Sequence, residues 1–458
     1  MKKNTYLLIL FVMCLNLRVH SQWSSVGNGA NLDVKTLAAD TNNNLLYVGG
    51  VFTQAGGLPV LGLAKWDGTN YSSVGPGLLT GLGVSSLLVK SNGNLIAGGT
   101  FSSIGGVLSK NISEWNGTTW TPLGNGLHLT FGLGFSIVNA LTIYNNELYA
   151  GGIFGKSGLT SLSNIAKWDG SQWQPLGSGV NGKVSSLCVY NGELYVGGTF
   201  TSAGGVPVNN IAKWDGTGWH DVGGGVNYTG AISVSALQVY GGNLYAGGTF
   251  NTAGNASVKH IAKWDGSSWS DPGGGASNYT GAISVSALQI YNGGLVAGGM
   301  FDSLGGVGAK SVGRWDGTSW SSMGSGMNGG VNALSAVNNT LYAGGLFTTA
   351  DNNLSLFISQ WKEPSYSSYS SRSANVMTVS GKNKFVLYPN PNNGSFFIQT
   401  DSESTFTITN ELGETVRTLK LNKENDFSST VEFLNSGVYF LNGKEQNGVI
   451  HKKIIVAK

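Results

Sequence analysis

The sequence predicts an all-β protein, and three observations support this prediction. First, its 458 residues include 72 glycines and 10% aromatic residues but only 11% charged residues, which is typical of short strands joined by tight turns. Second, a Gly-Gly-x-Phe tetrad recurs every 46 to 53 residues. Third, a Trp follows the Phe of each tetrad by 14 residues every time. A repeat of this length predicts stacked sheets, because one small sheet with two apolar faces cannot bury itself.

Residues 1–21 are expected to be a secretory signal peptide. Lys2 and Lys3 precede the apolar run YLLILFVMCL, and the small residue Ser21 stands before Gln22. No later apolar stretch is long enough to span a bilayer, so we expect no transmembrane segment. Removal of the signal would leave Cys188 as the only cysteine, which excludes an internal disulfide.

Each repeat predicts four strands. In the best-preserved repeats these strands read VSSLCVY, ELYVGGTF, NIAKW and SQWQPLG. The Asp-Gly dipeptide between the third and fourth strands is expected to close a two-residue hairpin, which gives its Asp a role in the turn. The paired glycines are expected where a neighbouring backbone comes close.

The repeats number seven, and the chain ends complete one another. Trp361 lacks the aromatic residue that follows the other repeat tryptophans after five residues, whereas Trp23 heads WSSVGNG without a preceding half-repeat. We therefore predict a seven-bladed β-propeller over residues 22–361, in which the N-terminal strand completes the last blade. The alternative is an open solenoid, which would need capping repeats.

The repeat motif also resembles known families. LYVGGTF followed by IAKWDGTGW resembles kelch-type repeats and the propeller repeats of fungal cortical cell-polarity marker proteins. The resemblance implies a propeller fold, but kelch-like propellers serve enzymes and binding proteins alike.

The chain beyond the repeats changes in composition. Residues 362–383 form a Ser-rich linker, and residues 384–458 predict a small Ig-like β-sandwich. This last segment resembles the C-terminal sorting domain of bacterial type IX secretion in Tyr388-Pro389-Asn390-Pro391 with Gly394, in Leu412-Gly413, in Gly437-Val438-Tyr439 and in the final KKIIVAK. The resemblance implies the type IX machinery of a Bacteroidetes-type bacterium as a partner, and a protein secreted or held outside the outer membrane.

Charge and motifs exclude several function classes. Residues 22–361 carry 12 Lys/Arg against 14 Asp/Glu, so no basic face for nucleic acid is expected. GSGVNGKV at 177–184 approaches a phosphate-binding pattern, but Val184 replaces the hydroxyl residue and a strand follows instead of a helix. The histidines show no metal-ligand spacing. We expect no metal, no cofactor and no catalytic residue.

Acidic residues in loops leave one catalytic alternative open. We interpret them as turn residues, although a carboxylate pair near the propeller axis would suit a glycan-acting hydrolase or lyase. The residues concerned include Asp221, Asp271, Asp302 and Asp351.

Loop length gives the prediction of a binding site. From the second aromatic of one repeat to the aligned Leu of the next, the spacing is 14, 16, 21, 14, 18, 19 and 14 residues. The insertions would therefore lie on one face of the ring, where binding residues usually occur. The candidate ligand-binding residues in the long loops are Asn227, Tyr228, Asn278, Tyr279, Phe131 and Phe135.

Each of these candidates has two interpretations. A Tyr beside an Asn can stack on a sugar while the amide bonds a hydroxyl, or the ring can pack on its own repeat. Phe131 and Phe135 can extend an apolar rim or fold back as a plug. We expect an exported, non-catalytic module that binds extracellular carbohydrate or protein through these loops. The alternatives are the glycan-acting enzyme and a structural or adhesion surface protein.

Overall fold

A computed structural model describes residues 22–129, 135–228, 233–278, 281, 283–362, 386–388, 396–400, 403–410, 413–423, 427–431, 437–445 and 448–456. The predicted signal peptide and nearly all of the predicted linker lie outside these residues. The chain divides into two compact units, Met1–Tyr366 and Ser367–Lys458. The described residues of both units form strands in antiparallel sheets, which confirms the all-β prediction.

The described part of the first unit contains seven sheets of four main strands, numbered here 1 to 7. The first strands are Val34–Asp40, Leu78–Val89, Ile137–Tyr144, Lys183–Tyr190, Ser233–Tyr240, Ser284–Tyr291 and Val331–Val337. The second strands are Leu45–Gly50, Leu95–Ile104, Glu147–Ile153, Glu193–Thr199, Asn243–Thr249, Gly294–Met300 and Thr340–Gly345. The third strands are Leu63–Trp66, Ile112–Trp115, Ile165–Trp168, Ile211–Trp214, Ile261–Trp264, Val312–Trp315 and Ile358–Lys362. The fourth strands are Tyr71–Ser73, Trp120–Pro122, Trp173–Pro175, Trp219–Asp221, Trp269–Ser270, Trp320–Ser322 and, for sheet 7, Gln22–Ser25.

A short hairpin stands between the second and third strands of every sheet. In sheet 2 the second strand itself turns back onto Val107–Leu108, and in the other sheets two separate short strands pair. These are Gln54–Ala55 with Leu58–Pro59, Lys156–Ser157 with Thr160–Ser161, Ser202–Ala203 with Val206–Pro207, Thr252–Ala253 with Ala256–Ser257, Ser303–Leu304 with Val307–Gly308, and Thr349–Ala350 with Asn353–Leu354.

Sheet 7 joins the two ends of this unit. Gln22–Ser25 pairs antiparallel with Ile358–Lys362, and Trp23 lies opposite Trp361. The backbone N–H of Trp23 also donates to the Asp351 carboxylate at 2.7 Å. The first strands of consecutive sheets contact one another, and the first strand of sheet 7 contacts that of sheet 1.

The glycine pairs explain how the sheets come so close. The first glycine of each pair faces a Val in the first strand of the next sheet: Gly298 faces Val331, and Gly344 of sheet 7 faces Val34 of sheet 1. A Cβ on Gly298 would lie 2.6 Å from Val331 Cγ1, which is far inside van der Waals contact. The second glycine faces a backbone carbonyl of its own sheet.

Aromatic pairs close the outer part of each sheet. Trp23 and Trp361 have ring centroids 5.4 Å apart, and the pair is repeated at the same place in the other six sheets. In six sheets the fourth-strand aromatic is Trp, and its indole N–H donates to a carbonyl of the preceding sheet. Trp23 follows the same pattern, donating to Met323 of sheet 6 at 3.0 Å. The repeated Trp is therefore both packing material and a bond between sheets.

The Asp-Gly turn differs in length from its prediction. Trp214 pairs with Trp219, so four residues join the third and fourth strands instead of two. The Asp215 carboxylate accepts the backbone N–H groups of Thr217 and Gly218 at 2.7 and 2.8 Å. These bonds, that of Gly218 first, hold the pKa of Asp215 far below its usual range. The Asp stabilises the turn, and the longer loop follows from this side-chain cap.

The second unit has seven described strands in two sheets. One sheet holds Val386–Tyr388, Phe396–Gln399 and Ser428–Val431, and the other holds Ser404–Asn410, Thr415–Leu421, Gly437–Glu445 and Gly448–Val456. Phe396 and Ile398 of the first sheet share one buried cluster with Phe406, Ile408 and Leu441 of the second. This cluster is the core of the unit.

Candidate functional site

The connections between successive sheets and the short hairpins between second and third strands lie at the same end of the sheets, and we call this end the loop face. There the connection from a fourth strand to the next first strand pairs with the hairpin between second and third strands. Val226–Asn227 pairs with Thr252–Ala253, and Ala276–Ser277 pairs with Ser303–Leu304. His128 forms the equivalent bridge to Lys156. The loops are therefore held on a rigid backbone frame.

Tyr228 and Asn227 lie together on the loop face. Asn227 is exposed, and its carbonyl accepts the N–H of Asn251 at 3.0 Å. Tyr228 is 37% exposed and meets the His260 ring edge-on, with centroids 6.1 Å apart. One side of the Tyr228 ring is thus used in packing. Asn278 lies one sheet further along, after Ala276–Ser277, and Tyr279 lies outside the described residues.

His260 occupies an unusual position beneath Tyr228. It is 7% exposed, and its φ of 64° lies in the left-handed region. Its Nδ1 is buried and makes no hydrogen bond within the described parts of the chain. Burial lowers the pKa of the imidazole, since a charged ring would lose hydration there.

Phe135 is the more exposed of the two aromatic candidates that the structure describes. Its ring is 71% exposed and lines a cavity of about 490 Å³, which we call the Phe135 cavity. The wall also contains Leu82, itself 59% exposed, and the buried Phe101. The remaining lining residues are Gly81, Thr100, Ser102, Lys110, Asn111, His128 and Ser136. Phe131 lies outside the described residues.

His128 supplies a polar group to the Phe135 cavity. Its Nδ1 lies 3.1 Å from the Leu129 carbonyl oxygen. Because a carbonyl oxygen can only accept, Nδ1 carries the ring proton and donates it to this oxygen. The buried Nε2 is then an acceptor, and no partner for it occurs among the residues described. Burial lowers the pKa of His128, and the charges of Lys110 and Lys156 lower it further. The hydrogen bond to Leu129 acts in the opposite direction and raises the pKa.

The loop aspartates act within the fold. The Asp221 and Asp271 carboxylates accept the backbone N–H groups of Gly224 and Gly274 at 2.6 and 2.7 Å. The Asp351 carboxylate accepts the backbone N–H groups of Trp23 and Ser325. The backbone N–H of Asp302 bonds the Ser277 carbonyl at 2.9 Å.

A second cavity of about 580 Å³ is lined by the first strands of all seven sheets, and we call it the central cavity. Each first strand has a register shift at the same place, two residues before its aligned Leu. Such a bulge re-aims a side chain, and the seven bulged residues all line the cavity. They are Lys35, Ser85, Asn139, Ser185, Ser235, Ser286 and Asn332.

The central cavity was not among the sites predicted from sequence. Its signal was present, because the bulge position is polar in all seven repeats although it precedes the aligned Leu by only two residues. No Asp or Glu of the described chain lines this cavity. No described residue in the wall of the central cavity could therefore supply the carboxylate pair that the predicted catalytic alternative requires.

Comparison with known proteins identifies the second unit. Residues 386–457 match the family model of the secretion system C-terminal sorting domain. The prediction of a type IX sorting domain is confirmed. Because of this sorting domain, the protein is secreted or held at the cell surface, and the type IX machinery acts on it. Of the motifs that predicted it, Pro389, Asn390, Pro391, Gly394 and Leu412 lie outside the described residues.

For the whole chain, the comparisons are more distant. The GH74 enzyme of Niastella koreensis aligns with 94% of this chain and 67% of its own, at 13% sequence identity and a TM-score of 0.43. No curated protein matches the sequence. The described residues include no helix with the length and apolar character needed to cross a membrane.

Proposed function

We propose that the chain is an exported binding protein with four parts. Residues 1–21 are the signal peptide, residues 22–361 a seven-bladed, kelch-like β-propeller closed by the N-terminal strand, residues 362–383 the linker, and residues 384–458 the sorting domain as an Ig-like β-sandwich. The contact between the first strands of sheets 7 and 1 supports a closed ring. The indole bond from Trp23 to Met323 supports the N-terminal strand as part of the last blade.

The propeller binds an extracellular carbohydrate or protein on the loop face without catalysing a reaction. One observation carries this proposal: Phe135, an exposed aromatic ring, stands in the wall of a cavity of ligand size beside exposed Leu82. An exposed aromatic next to a concave apolar surface gains area and ring contacts when a ligand covers it.

The test compares two equally exposed apolar side chains of one region. Phe135→Ala removes the ring from the Phe135 cavity, and Leu108→Ala removes a side chain that is also 71% exposed but lies on the sheet 2 hairpin outside it. The full-length protein and both variants are applied to glycan arrays and to surface-protein fractions, and affinities are measured for each ligand found. We expect Phe135→Ala to weaken binding about tenfold or more and Leu108→Ala to leave it unchanged.

The Tyr-Asn loops are tested with the same ligand. Tyr228→Ala combined with Tyr279→Ala, and Asn227→Ala combined with Asn278→Ala, should weaken binding if the site extends across these loops. Unchanged affinity in both double variants would confine the site to the Phe135 cavity. Equal affinities for wild type, Phe135→Ala and Leu108→Ala would overturn the loop-face proposal.

A further inference from the structure

The wall of the central cavity has an unusual chemical balance. Its lining contains six serines, two asparagines, one threonine and two lysines, with no acidic residue of the described chain among them. Ammonium groups and side-chain amides donate hydrogen bonds, and hydroxyl groups can donate or accept them. The wall therefore favours a ligand rich in acceptor atoms.

The two lysines enter the cavity from separate sheets. Lys35 is the bulged residue of sheet 1, and Lys183 begins the first strand of sheet 4. Their neighbours at the wall are the serines of the bulge ring and of the position after it. Because both residues lie on β-strands of the rigid frame, the points from which their side chains extend are fixed before any ligand arrives.

The two ammonium groups differ in their partners. Lys35 forms an ion pair with Asp33, whose other carboxylate oxygen accepts the Asn332 amide at 2.8 Å. Asp33 is buried, so this pair belongs to the frame. Lys183 has no carboxylate within ion-pair distance among the residues that the structure describes. Of the two lysines in the wall, Lys183 is thus the one whose charge is not paired with a described carboxylate.

The environment of Lys183 opposes that charge. The surrounding wall removes water and lowers the pKa of the ammonium, and the positive charge of Lys35 lowers it further. The cavity thus holds like charges that act on each other, and an anion placed beside them would remove this repulsion.

We propose that the central cavity binds the oxyanion group, carboxylate or sulfate, of a small polar molecule, with Lys183 as its main contact. The ammonium of Lys183 pairs with the anion, and the serine and asparagine side chains bond the polar remainder. The half-buried Leu87, Leu141 and Leu187 give the wall an apolar band against which a sugar-sized body can pack. A volume of about 580 Å³ lies within the range of small-molecule sites. This site is separate from the Phe135 cavity and does not depend on the function proposed there.

The test uses calorimetric titration of the full-length protein with three probes. Sodium glucuronate presents a carboxylate on a sugar, sodium sulfate presents a free oxyanion, and methyl glucoside presents a sugar without charge. We expect glucuronate to bind, methyl glucoside not to bind, and added salt to weaken the binding. Competition by sulfate would assign the affinity to the oxyanion itself, and its absence would assign it to the acidic sugar as a whole.

Lys183→Met removes the charge and keeps the length of the side chain. It should weaken glucuronate binding about tenfold or more, while the melting temperature stays at or above that of wild type because the repulsion is gone. Lys263→Met makes the same change on a third strand outside the cavity and should bind like wild type. Equal affinity of Lys183→Met and wild type would overturn the proposal, as would glucuronate binding no tighter than that of methyl glucoside.

Discussion

A single backbone position, the residue before each third strand, has positive φ in all seven sheets. It is Gly62, Asn111, Asn164, Asn210, His260, Ser311 or Phe357. Where it is Asn, the side-chain amide donates to a carbonyl of the next loop, as Asn210 does to Val226 at 3.0 Å. Asn and His both tolerate the left-handed region, so the difference between them lies in the side-chain bond. The buried Nδ1 of His260 has no such partner among the described residues.

His260→Asn should stabilise the protein by about 1 kcal/mol, because Asn at this position can donate to the next loop as Asn210 does. It should also change the pH dependence. Below about pH 6.5, His260 becomes protonated in the unfolded chain, whereas in the folded chain its lowered pKa keeps the imidazole neutral to lower pH. Wild-type stability is thus complete above this pH and is lost as pH falls, and the variant should lose less. Thermal melts between pH 5 and 7.5 measure both effects.

The exposed His220 provides the control for that series. His220→Asn changes a side chain at the surface and should leave the stability at pH 7 within about 0.5 kcal/mol of wild type. A lower melting temperature for His260→Asn than for wild type at pH 7 would contradict the expected bond from Asn to the next loop.

At the scale of the strand, the glycine pair leaves room for neighbouring atoms, and the sequence reveals only in part which atoms these are. The sequence predicted close approach, but the first glycine meets a Val side chain of the next sheet and only the second meets backbone. The partner could not be predicted, because repeat alignment gives position within a sheet and not the offset between sheets. The bulges were missed for a related reason: because every repeat carries the extra residue, the spacing of the repeats does not reveal it.

Gly298→Ala tests the contact between sheets. The new methyl group meets Val331 of the next sheet, and overpacking of this kind costs about 1 to 3 kcal/mol. Gly308→Ala is the matched change in sheet 6, because no atom lies within 4 Å of its added Cβ and its φ is not left-handed. That variant should be neutral or more stable by up to about 1 kcal/mol. Urea unfolding curves give both values, and equal midpoints for the two variants would exclude the proposed crowding.

At the scale of the molecule, Trp23 joins segments that are distant in sequence. Trp23→Ala removes a fully buried ring and the bond to Met323, so the free energy of unfolding should fall by about 3 to 5 kcal/mol. Ser24→Ala alters the exposed neighbour on the same strand and should change it by less than about 0.5 kcal/mol. Denaturant unfolding followed by tryptophan fluorescence measures the difference. A loss below about 1 kcal/mol for Trp23→Ala would show that this strand contributes little to stability.

The candidate sites were predicted less completely than the fold. Phe135 and Tyr228 were proposed from sequence because long loops mark a variable face, but the sequence could not show that Tyr228 packs on His260. Lys35 and Lys183 were missed because they sit at different strand positions in different repeats. Only the fold brings them to one cavity: Lys35 lies in no sequence motif, and Lys183 lies in GSGVNGKV, which was set aside as a phosphate-binding pattern.

The pairing of Trp23 with Trp361 has a consequence for how the protein is made. Ribosomes produce Gln22–Ser25 early, yet the described strand with which it pairs is synthesised more than three hundred residues later. Until then the early strand has no edge to join, and loop closure over such a length is slow. A nascent chain is thus unable to complete sheet 7 until Ile358–Lys362 has been made.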